Sequence, residues 1–439
     1  MDAFLIHGGA RLRGTVRIHG SKNAALPLMA AALLTDEPLV LDDVADLSDI
    51  RNMVRLLTTL GVKASGVGDE SRRVTLHVED RKPLLAHYDI VRTMRASICV
   101  LGPMLARRGE ARVSMPGGCS FGDRPVDLHL RGLRQLGADI SLDEGNIVAR
   151  AKRLRGATVF LGGPFGSTVL GTANILSAAA LAEGATVIES AACEPEVVNL
   201  ADLINAMGGK VRGAGTPRIT VEGVEELHGA NVTVIPDRIE AGTYIMAAAI
   251  TNGDVTLENC PTDALMAALD RLAHIGVEVE PVNAGKTAGK ADDTMRQTVR
   301  ISSQRRLSPV HVVTQPHPGF PTDLQAQIMA LLTLADGNSI ITEKIYPDRF
   351  LHVAELARMG ADLYRNGPTV LVSGVRELVG APVMASDLRA SACLVLAGLA
   401  ARGTTTINRV YHLDRGYEKM EVVLQQLGAQ IERIDAPST

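Results

Sequence analysis

The 439-residue chain has no tryptophan, and aromatic residues make up only 3% of it. Proteins that bind single-stranded nucleic acid stack bases on aromatic side chains, so this scarcity argues against such a function. Positive charge is not in excess either, because the formal net charge is −4. Such a chain lacks the general basic field that attracts nucleic acid or acidic lipid. We therefore expect neither nucleic acid nor a membrane among its partners.

Long apolar runs and cysteine pairs are also missing. No run approaches the roughly 18 apolar residues of a membrane span. The apolar stretch 23–34 is interrupted by Pro27 and followed by acidic residues, which argues against a secretory signal. The five cysteines are odd in number and widely spread, which favours a reducing compartment and argues against a disulfide framework. They form no Cys-x-x-Cys pair, which argues against a disulfide oxidoreductase or a zinc ribbon. We expect a cytoplasmic location.

Several site motifs are absent too. There is no Walker pattern and no Gly-x-Gly-x-x-Gly, so any phosphate site is not of the nucleotide-loop kind. The histidines lack the close spacing of metal ligands, so no metal site is expected. The tyrosine-phosphatase pattern needs five residues between Cys and Arg, whereas four separate Cys119 from Arg124.

What the chain does contain is a sixfold repeat of roughly 70 residues. Ala-rich apolar stretches, typical of buried helices, lead through short turns into β-rich runs. A second helical stretch then ends in glycine, a common helix C-cap, before a strand or hairpin. A solenoid is one alternative, but its usual period of about 20–50 residues is shorter, so two α/β domains of three repeats each are favoured. The cap glycines are Gly61, Gly137, Gly208, Gly276, Gly360 and Gly428.

The least repeat-like segment, 283–295, is rich in Gly, Ala, Lys and Asp. We interpret it as a hairpin loop inside the fourth repeat rather than a linker.

Cations recur where helices begin. Lysine or arginine at a helix N-terminus opposes the macrodipole, so a repeated pattern of this kind suggests an anion between them. Capping by the neighbouring Ser, Thr and Asp residues accounts for about half of the polar helix openings. A second set of arginines precedes the cap glycines by 11 to 13 residues in repeats two, five and six. The helix-start cations are Lys22, Arg95, Arg238 and Arg389, and the second set is Arg124, Arg349 and Arg415.

The glycine-rich loop 115–124 has Cys119 at its centre and Arg124 before a proline. A thiol beside a guanidinium and a helix N-terminus ionises more easily than a free thiol, whose pKa is about 8.5. This suits a nucleophile or a proton donor. A surface loop with an incidental cysteine is the alternative that the loop alone leaves open. The other cysteines, Cys99, Cys193, Cys260 and Cys393, lie in apolar or strand-like runs and are interpreted as buried.

Six segments together resemble the UDP-N-acetylglucosamine 1-carboxyvinyltransferase family, the enolpyruvyl transferases that begin peptidoglycan synthesis. They are GSKNAALP at 20–27, the Cys119 loop with RPVDLH, PDRIEAGT at 236–243, PTDLQAQ at 321–327, DLRAS at 387–391 and DRGYE at 414–418. The resemblance covers nearly the whole chain.

The resemblance implies a particular fold. It is a two-domain inside-out α/β barrel, in which each domain has three βαβαββ-like repeats and the two domains close over a cleft. The first domain would be 22–235, with the Cys119 loop as its lid, and the second 1–21 plus 236–439. The enzyme would act as a monomer or weak homo-oligomer, without a metal or cofactor.

The resemblance also implies the reaction. Enolpyruvyl passes from phosphoenolpyruvate to the sugar 3′-hydroxyl by addition and elimination, and phosphate is released. Cys119 would protonate the methylene carbon and can form a covalent adduct, which predicts inactivation by fosfomycin. Asp323 would act on the sugar hydroxyl, and Lys22 and Arg415 complete the catalytic set.

The substrate contacts follow from the same resemblance, residue by residue. Fixed cations act most strongly in a closed, dry site, which suits a substrate with both phosphate and carboxylate. For phosphoenolpyruvate the residues are Lys22, Asn23, Arg124, Arg349, Arg389 and Arg415. For the sugar nucleotide they are Asn23, Arg95, Arg124, Pro125, Val126, Asp127, Leu128, Asp323 and Ile345.

The third repeat departs from the family pattern. The run 166–172, GSTVLGT, has no lysine where family members carry one that touches the diphosphate, so no nucleotide contact is carried over to 166–169. Two other functions stay open. The sister enzyme 3-phosphoshikimate 1-carboxyvinyltransferase shares the chemistry but uses no loop cysteine, and a non-catalytic paralogue would only bind sugar nucleotide.

Overall fold

The computed structural model describes residues 2–115, 126–282, 293–303 and 306–435. Their contacts divide the chain into two compact units. Unit A comprises the described residues of 20–235, and unit B comprises 2–19 together with the described residues of 236–435. Each unit has its own hydrophobic core.

Helices are numbered in chain order. The α-helices are α1 (Lys22–Ala31), α2 (Ser48–Thr59), α3 (Tyr88–Val91), α4 (Leu101–Arg108), α5 (Asp127–Gln135), α6 (Val169–Ala179), α7 (Pro195–Ala206), α8 (Arg238–Ile250), α9 (Met266–Ile275), α10 (Gln325–Leu332), α11 (Leu351–Arg358), α12 (Leu388–Ala400) and α13 (Met420–Gln426). Short 3₁₀ helices span Ala32–Leu34, Arg95–Val100, Asp263–Leu265, Thr322–Leu324 and Val410–Arg415.

Strands are numbered in the same way. They are β1 (Asp2–His7), β2 (Arg13–Arg17), β3 (Leu39–Asp42), β4 (Val62–Ser65), β5 (Val74–Val78), β6 (Leu85–Ala86), β7 (Glu110–Ser114), β8 (Asp139–Asp143), β9 (Asn146–Arg150), β10 (Thr158–Phe160), β11 (Gly162–Gly163), β12 (Gly166–Ser167), β13 (Ala185–Glu189), β14 (Lys210–Arg212), β15 (Arg218–Glu222), β16 (Asn231–Thr233), β17 (Asp254–Cys260), β18 (Glu278–Pro281), β19 (Gln297–Ser302), β20 (His311–Val313), β21 (Asn338–Thr342), β22 (Asp362–Asn366), β23 (Thr369–Ser373), β24 (Pro382–Met384), β25 (Thr404–Asn408) and β26 (Gln430–Asp435).

The four-stranded sheets share one topology. A leading strand pairs in parallel with the strand after the first helix, and the remaining neighbours pair antiparallel. This arrangement is the predicted βαβαββ repeat, and three such sheets lie in each unit among the described residues. Their orders are β16-β3-β5-β4, β6-β7-β9-β8 and β10-β13-β15-β14 in unit A, and β2-β17-β19-β18, β20-β21-β23-β22 and β24-β25-β1-β26 in unit B.

Three strands join sheets far from their neighbours in sequence. The strand β16 leads the first sheet although it is the last strand of unit A. The strand β2 leads the fourth sheet, and β1 lies between β25 and β26 in the sixth. The sixth sheet therefore pairs Ala3 with Asn408 and Asp2 with Asp435.

The Ala-rich helices lie inside the units. In unit B, α8, α10 and α12 contact one another, and every residue of α8 is buried. In unit A, α1 and α4 both contact α6. Helices without a polar face cannot border water, so they pack together while the sheets cover them. Among the described residues the sheets stay open and form no closed barrel, and no helix has both the length and the apolarity to cross a bilayer.

The predicted glycine caps are confirmed. All six glycines adopt positive φ, from 84° at Gly61 to 103° at Gly276. This left-handed conformation costs little only without a Cβ, which is why glycine ends each second helix and turns the chain into the next strand. The hairpin interpretation around 283–295 also holds at its flanks, because β18 and β19 pair antiparallel. Residues 283–292 lie outside the described residues.

The helix starts differ in detail from one repeat to the next. The helix start expected at Arg95 is the 3₁₀ helix Arg95–Val100, after which α4 begins at Leu101. Arg349 and Arg415 precede α11 and α13, and Arg415 ends the 3₁₀ helix Val410–Arg415. Gly166 and Ser167 form β12, so α6 begins only after Thr168, whose hydroxyl accepts a hydrogen bond from Gly171 N at 3.2 Å.

Candidate active site

Two aspartate caps organise the helix starts in unit B. The Asp237 carboxylate accepts from the amides of Ile239 and Glu240 at 2.8 and 3.0 Å. Asp387 does the same for Arg389 and Ala390 at 2.8 and 3.1 Å. Each cap fixes the first turn of a buried helix and brings a negative charge next to Arg238 or Arg389. The cations at the helix starts suggested a bound anion, and the carboxylates of Asp237 and Asp387 supply part of that negative charge.

Asp323 lies between two arginines from different repeats. Arg349 Nη1 donates to Asp323 Oδ1 at 2.8 Å, and Arg389 Nη2 donates to Oδ2 at 3.0 Å. The arginine side chains are 7% and 3% exposed, whereas that of Asp323 is 26% exposed. The carboxylate is therefore the more open member of a charged cluster whose cations are buried.

The pKa values of both arginines reflect this pairing. Burial acts to lower the pKa of Arg389, but the charges of Asp323 and Asp237 and the hydrogen bond to Tyr417 outweigh it and raise that pKa. For Arg349 burial is likewise opposed by Asp323 and Asp387, and its pKa is raised. Both guanidiniums therefore stay charged at any physiological pH, as an anion-binding site requires.

A buried hydrogen-bond network holds Arg389 from its other side. Its Nη1 donates to the Tyr417 hydroxyl at 3.1 Å. That hydroxyl is 2.9 Å from Thr243 Oγ1 and accepts from Gln327 Nε2 at 3.3 Å. Gln327 Nε2 also lies 2.9 Å from the Asp323 carbonyl oxygen. Helices α8 and α10 thus fix both the guanidinium and the turn that carries Asp323.

Ile345 lies in the turn after β21. Its amide donates to Glu343 Oε1 at 2.8 Å, and the Tyr346 amide donates to the same oxygen at 3.0 Å. The Ile345 side chain is partly exposed, whereas Glu343 is fully buried. The predicted sugar-nucleotide contact is therefore held by a carboxylate beneath it.

Arg415 ends the 3₁₀ helix Val410–Arg415 and is partly buried. This helix contacts α12, which carries Arg389. The pKa of His412 is lowered chiefly by burial and then by the charge of Arg415. Arg415 is thus placed in the same unit and on an element adjacent to the Arg389 helix.

Lys22 begins α1 in unit A. The Ser21 hydroxyl caps that helix by accepting from Ala24 N at 3.3 Å. The Lys22 ammonium lies 3.2 Å from Asp49 Oδ2, and both side chains are buried. Pro27 has no N–H to donate to the carbonyl of Asn23, so that hydrogen bond is missing from the start of α1.

Arg95 begins a 3₁₀ helix that contacts both α1 and α6. Burial and the charge of Arg95 lower the pKa of His129 to about 3, so the imidazole is neutral at pH 7. Asn174 Nδ2 lies 2.9 Å from His129 Nδ1 and donates to the Ile98 carbonyl at 2.8 Å. Asn174 thereby joins the Arg95 helix to α5.

The predicted loop residues Cys119, Arg124 and Pro125 lie outside the described residues. Beyond them, Val126 is buried, Leu128 is partly buried, and Asp127 is exposed in the first turn of α5. The convergence of Lys22, Arg124 and Arg415 on one site stays a prediction.

The other cysteines are inert by burial, with one exception. Burial raises the pKa of Cys99 and Cys260 to about 12 and also raises that of Cys393. Cys193 is only partly buried, so the expectation of full burial was wrong there. Burial and the adjacent Glu194 raise its pKa as well. None of these thiols has the electropositive surroundings that lower a thiol pKa.

The structure thus brings Asp323, Arg349 and Arg389 into direct contact. Other members of this cluster were missed in the sequence. Tyr417 and Gln327 each lie within a quoted motif, and Gln327 falls one helical turn after Asp323, so the i, i+4 spacing could have indicated it. Glu343 carries no such signal, because it is one acidic residue after an ordinary strand.

Comparisons with known proteins identify the family. The family model described as EPSP synthase (3-phosphoshikimate 1-carboxyvinyltransferase) matches residues 6–424. A protein of Nitratidesulfovibrio vulgaris (strain DP4) named UDP-N-acetylglucosamine 1-carboxyvinyltransferase is 50% identical over 99% of both chains. One of the same name from Methylacidiphilum infernorum is 49% identical over 99% of both chains.

The chain belongs to the UDP-N-acetylglucosamine 1-carboxyvinyltransferase family.

Solved structures of similar proteins share the fold of this chain. The enolpyruvyl transferase NikO from Streptomyces tendae is similar with a TM-score of 0.88 and 26% identity, over 99% of both chains. EPSP synthase from Acinetobacter baumannii has a TM-score of 0.76 at 19% identity, over 99% of this chain and 100% of that one. At such low identity the second likeness shows the fold alone.

Proposed function

We propose that this enzyme transfers the enolpyruvyl group of phosphoenolpyruvate to the 3′-hydroxyl of UDP-N-acetylglucosamine and releases phosphate. Identity of about 50% over nearly the full length of proteins with that name supports the proposal. The Asp323 carboxylate between Arg349 and Arg389 is the structural observation that carries it. A carboxylate for a hydroxyl and cations for a substrate with two acidic groups are what the reaction needs.

The proposed chemistry has two steps. In the addition, the methylene carbon of phosphoenolpyruvate gains a proton while the sugar oxygen bonds to the central carbon and loses its own proton. The product is a tetrahedral ketal that still carries phosphate. In the elimination, the bond from the central carbon to the phosphate oxygen breaks and a methyl proton leaves, which restores the double bond.

Asp323 accepts the proton of the sugar hydroxyl in this proposal. Its carboxylate is 26% exposed, so it is the member of the cluster that an acceptor can reach. The two arginines fix its orientation, and positioning of this kind makes a general base effective. They also supply positive charge at the place where the phosphate and carboxylate groups of phosphoenolpyruvate bind.

The remaining assignments rest on the family resemblance. Phosphoenolpyruvate is assigned to Lys22, Asn23 and Arg415 with Arg124, and the proton donor to Cys119, which lies outside the described residues. The sugar nucleotide is assigned to Arg95 and Ile345, together with Asn23, residues 124–128 and Asp323. In the cell the enzyme would act in the cytoplasm, and fosfomycin would inactivate it by modifying Cys119.

Phosphate release from phosphoenolpyruvate tests this proposal. The purified enzyme is assayed with UDP-N-acetylglucosamine, with 3-phosphoshikimate and without an acceptor. We expect release with the sugar nucleotide only. The family model makes 3-phosphoshikimate the necessary second arm, and release with that acceptor alone would overturn the proposal.

A further inference from the structure

Glu343 lies beneath the candidate site of unit B. It follows β21 directly, is fully buried and bonds through its backbone amide to the Pro368 carbonyl at 2.8 Å. None of the family motifs includes it. A buried carboxylate is costly unless donors satisfy its oxygens, so its partners show what it organises.

Four donors point at the two oxygens of Glu343. Thr314 Oγ1 and the amides of Ile345 and Tyr346 lie 2.7, 2.8 and 3.0 Å from Oε1. Thr322 Oγ1 lies 2.8 Å from Oε2. The two oxygens therefore act as acceptors for groups from three separate segments of the chain.

The Thr322 hydroxyl carries this link to the charged cluster. It donates to Glu343 and accepts from Arg349 Nη1 at 3.0 Å. The same Nη1 donates to Asp323 Oδ1 at 2.8 Å. A continuous chain of hydrogen bonds thus runs from Glu343 through Thr322 and Arg349 to Asp323.

Thr314 extends the anchor to the neighbouring strand. It follows β20, is fully buried, and its Oγ1 also accepts from the Lys344 amide at 2.9 Å. The two ends of the parallel strands β20 and β21 are thereby tied at the point where both turns begin.

We propose that Glu343 is a positioning residue that fixes the turn carrying Asp323 and the turn carrying Ile345 in their places relative to each other. This inference rests on the proposed function, in which Asp323 meets the hydroxyl and Ile345 meets the sugar nucleotide. Glu343 itself touches no substrate. Its carboxylate fixes where the acceptor is held relative to the group that deprotonates it.

Glu343→Gln is the direct test. The backbone amides of Ile345 and Tyr346 cannot reverse, so the amide oxygen of glutamine must face them and its NH₂ must face Thr322. The hydroxyl then accepts where it previously donated, and its bond with Arg349 is disturbed. We expect kcat to fall roughly tenfold or more, because small displacements of reacting groups are costly.

Variants of Thr322 distinguish a positioning role of Glu343 from a merely structural one, because only the positioning role predicts the following changes in kcat. Thr322→Val removes the link and should lower kcat, whereas Thr322→Ser keeps the hydroxyl and should restore it. In the Glu343→Gln background, Thr322→Val should add less than twofold, because both changes break one chain of bonds. Glu355→Gln is the matched control, since that carboxylate also accepts from a backbone amide, Met384 N, but takes no part in the hydrogen bonds that link Glu343 to Asp323.

The outcomes separate the two proposals. If the wild-type enzyme does not use UDP-N-acetylglucosamine, the proposed function fails, and the same variants are compared with the acceptor that it does use. If the wild type is active and Thr322→Val keeps its kcat, or the two losses multiply, the positioning role of Glu343 is overturned. Should Glu343→Gln fail to fold, the Val and Ser variants of Thr322 still decide.

Discussion

Arg389 and Asp323 come from different repeats, yet Arg389 Nη2 lies 3.0 Å from Asp323 Oδ2. The arginine is almost fully buried, and the aspartate lies on its more open side. An incoming anion therefore meets guanidiniums that already hold a carboxylate, so it must share or displace that partner.

Asp323→Asn tests this competition. We expect turnover to fall at least 100-fold, because a positioned general base typically contributes about 10²–10⁴. Inorganic phosphate should bind more tightly than to the wild type, because the amide leaves the charges of Arg349 and Arg389 less neutralised. Calorimetry measures the affinity. Asp348→Asn, which alters an exposed ion pair with Arg365, is the control and should change neither quantity. Weaker phosphate binding in Asp323→Asn would refute the competition.

Arg389→Lys keeps the positive charge but loses the guanidinium, whose two Nη atoms donate to two different partners. Lysine cannot reach both the Asp323 carboxylate and the Tyr417 hydroxyl in the present geometry. We expect kcat/KM to fall roughly 10²-fold, in line with the loss of one positioned donor at a reacting centre. The exposed Arg402→Lys, whose arginine pairs with Glu377, is the comparison and should behave as wild type. Equal rates for both variants would contradict the role of the guanidinium.

The cysteines are predicted to differ sharply in reactivity. Cys119→Ala should largely abolish turnover, and Cys119→Asp, another proton donor, should retain part of it. Fosfomycin should inactivate the enzyme with time and leave one adduct on Cys119. Cys99 and Cys260 should stay unmodified in the folded protein because burial keeps them as thiols. Peptide mass spectrometry reads the site directly, and an active Ala variant would remove Cys119 from the mechanism.

His129 predicts a loss of stability in acid. Its folded-state pKa is about 3, below the unfolded value near 6.5, so the unfolded chain binds more protons between these limits. Stability is thus complete above about pH 6.5 and falls as pH decreases, by about 1.4 kcal/mol per pH unit for this group. Urea unfolding from pH 7.5 to 4.5 measures the slope.

His129→Gln should flatten that dependence, although it also disturbs the bond with Asn174. His87→Gln at an exposed position serves as its control. An unchanged slope in His129→Gln would show that other groups govern the acid transition.

Local signals in the sequence predicted the repeated framework well. Glycines such as Gly137 and Gly360 mark helix ends because the left-handed conformation is a property of one residue. Apolar helices such as α8 predict burial for the same local reason. The strands β1, β2 and β16 pair with strands that are distant in the sequence. No short window of sequence contains the information that sets such pairing.

The same distinction applies to the candidate site. Asp323, Arg349 and Arg389 could be selected because each lies in a recognisable motif or a repeated slot. Their mutual contact could not be predicted, because it joins residues up to 66 positions apart. Glu343 escaped notice because its importance comes from the donors that surround it rather than from its neighbours in sequence.

The position of β1 has a consequence for biosynthesis. Its partners in β25 and β26 follow it by about 400 residues, which at roughly 5–20 residues per second is a wait of about 20–80 seconds on the ribosome. Unit A can complete its own sheets with β16 well before that. Because Asp2 lies opposite Asp435, a short linker from β26 to β1 and a new first residue at Pro236 would produce a circular permutant. Translation of that permutant would finish unit B before unit A began. The strand β1 would then follow its partners β25 and β26 directly instead of preceding them by about 400 residues.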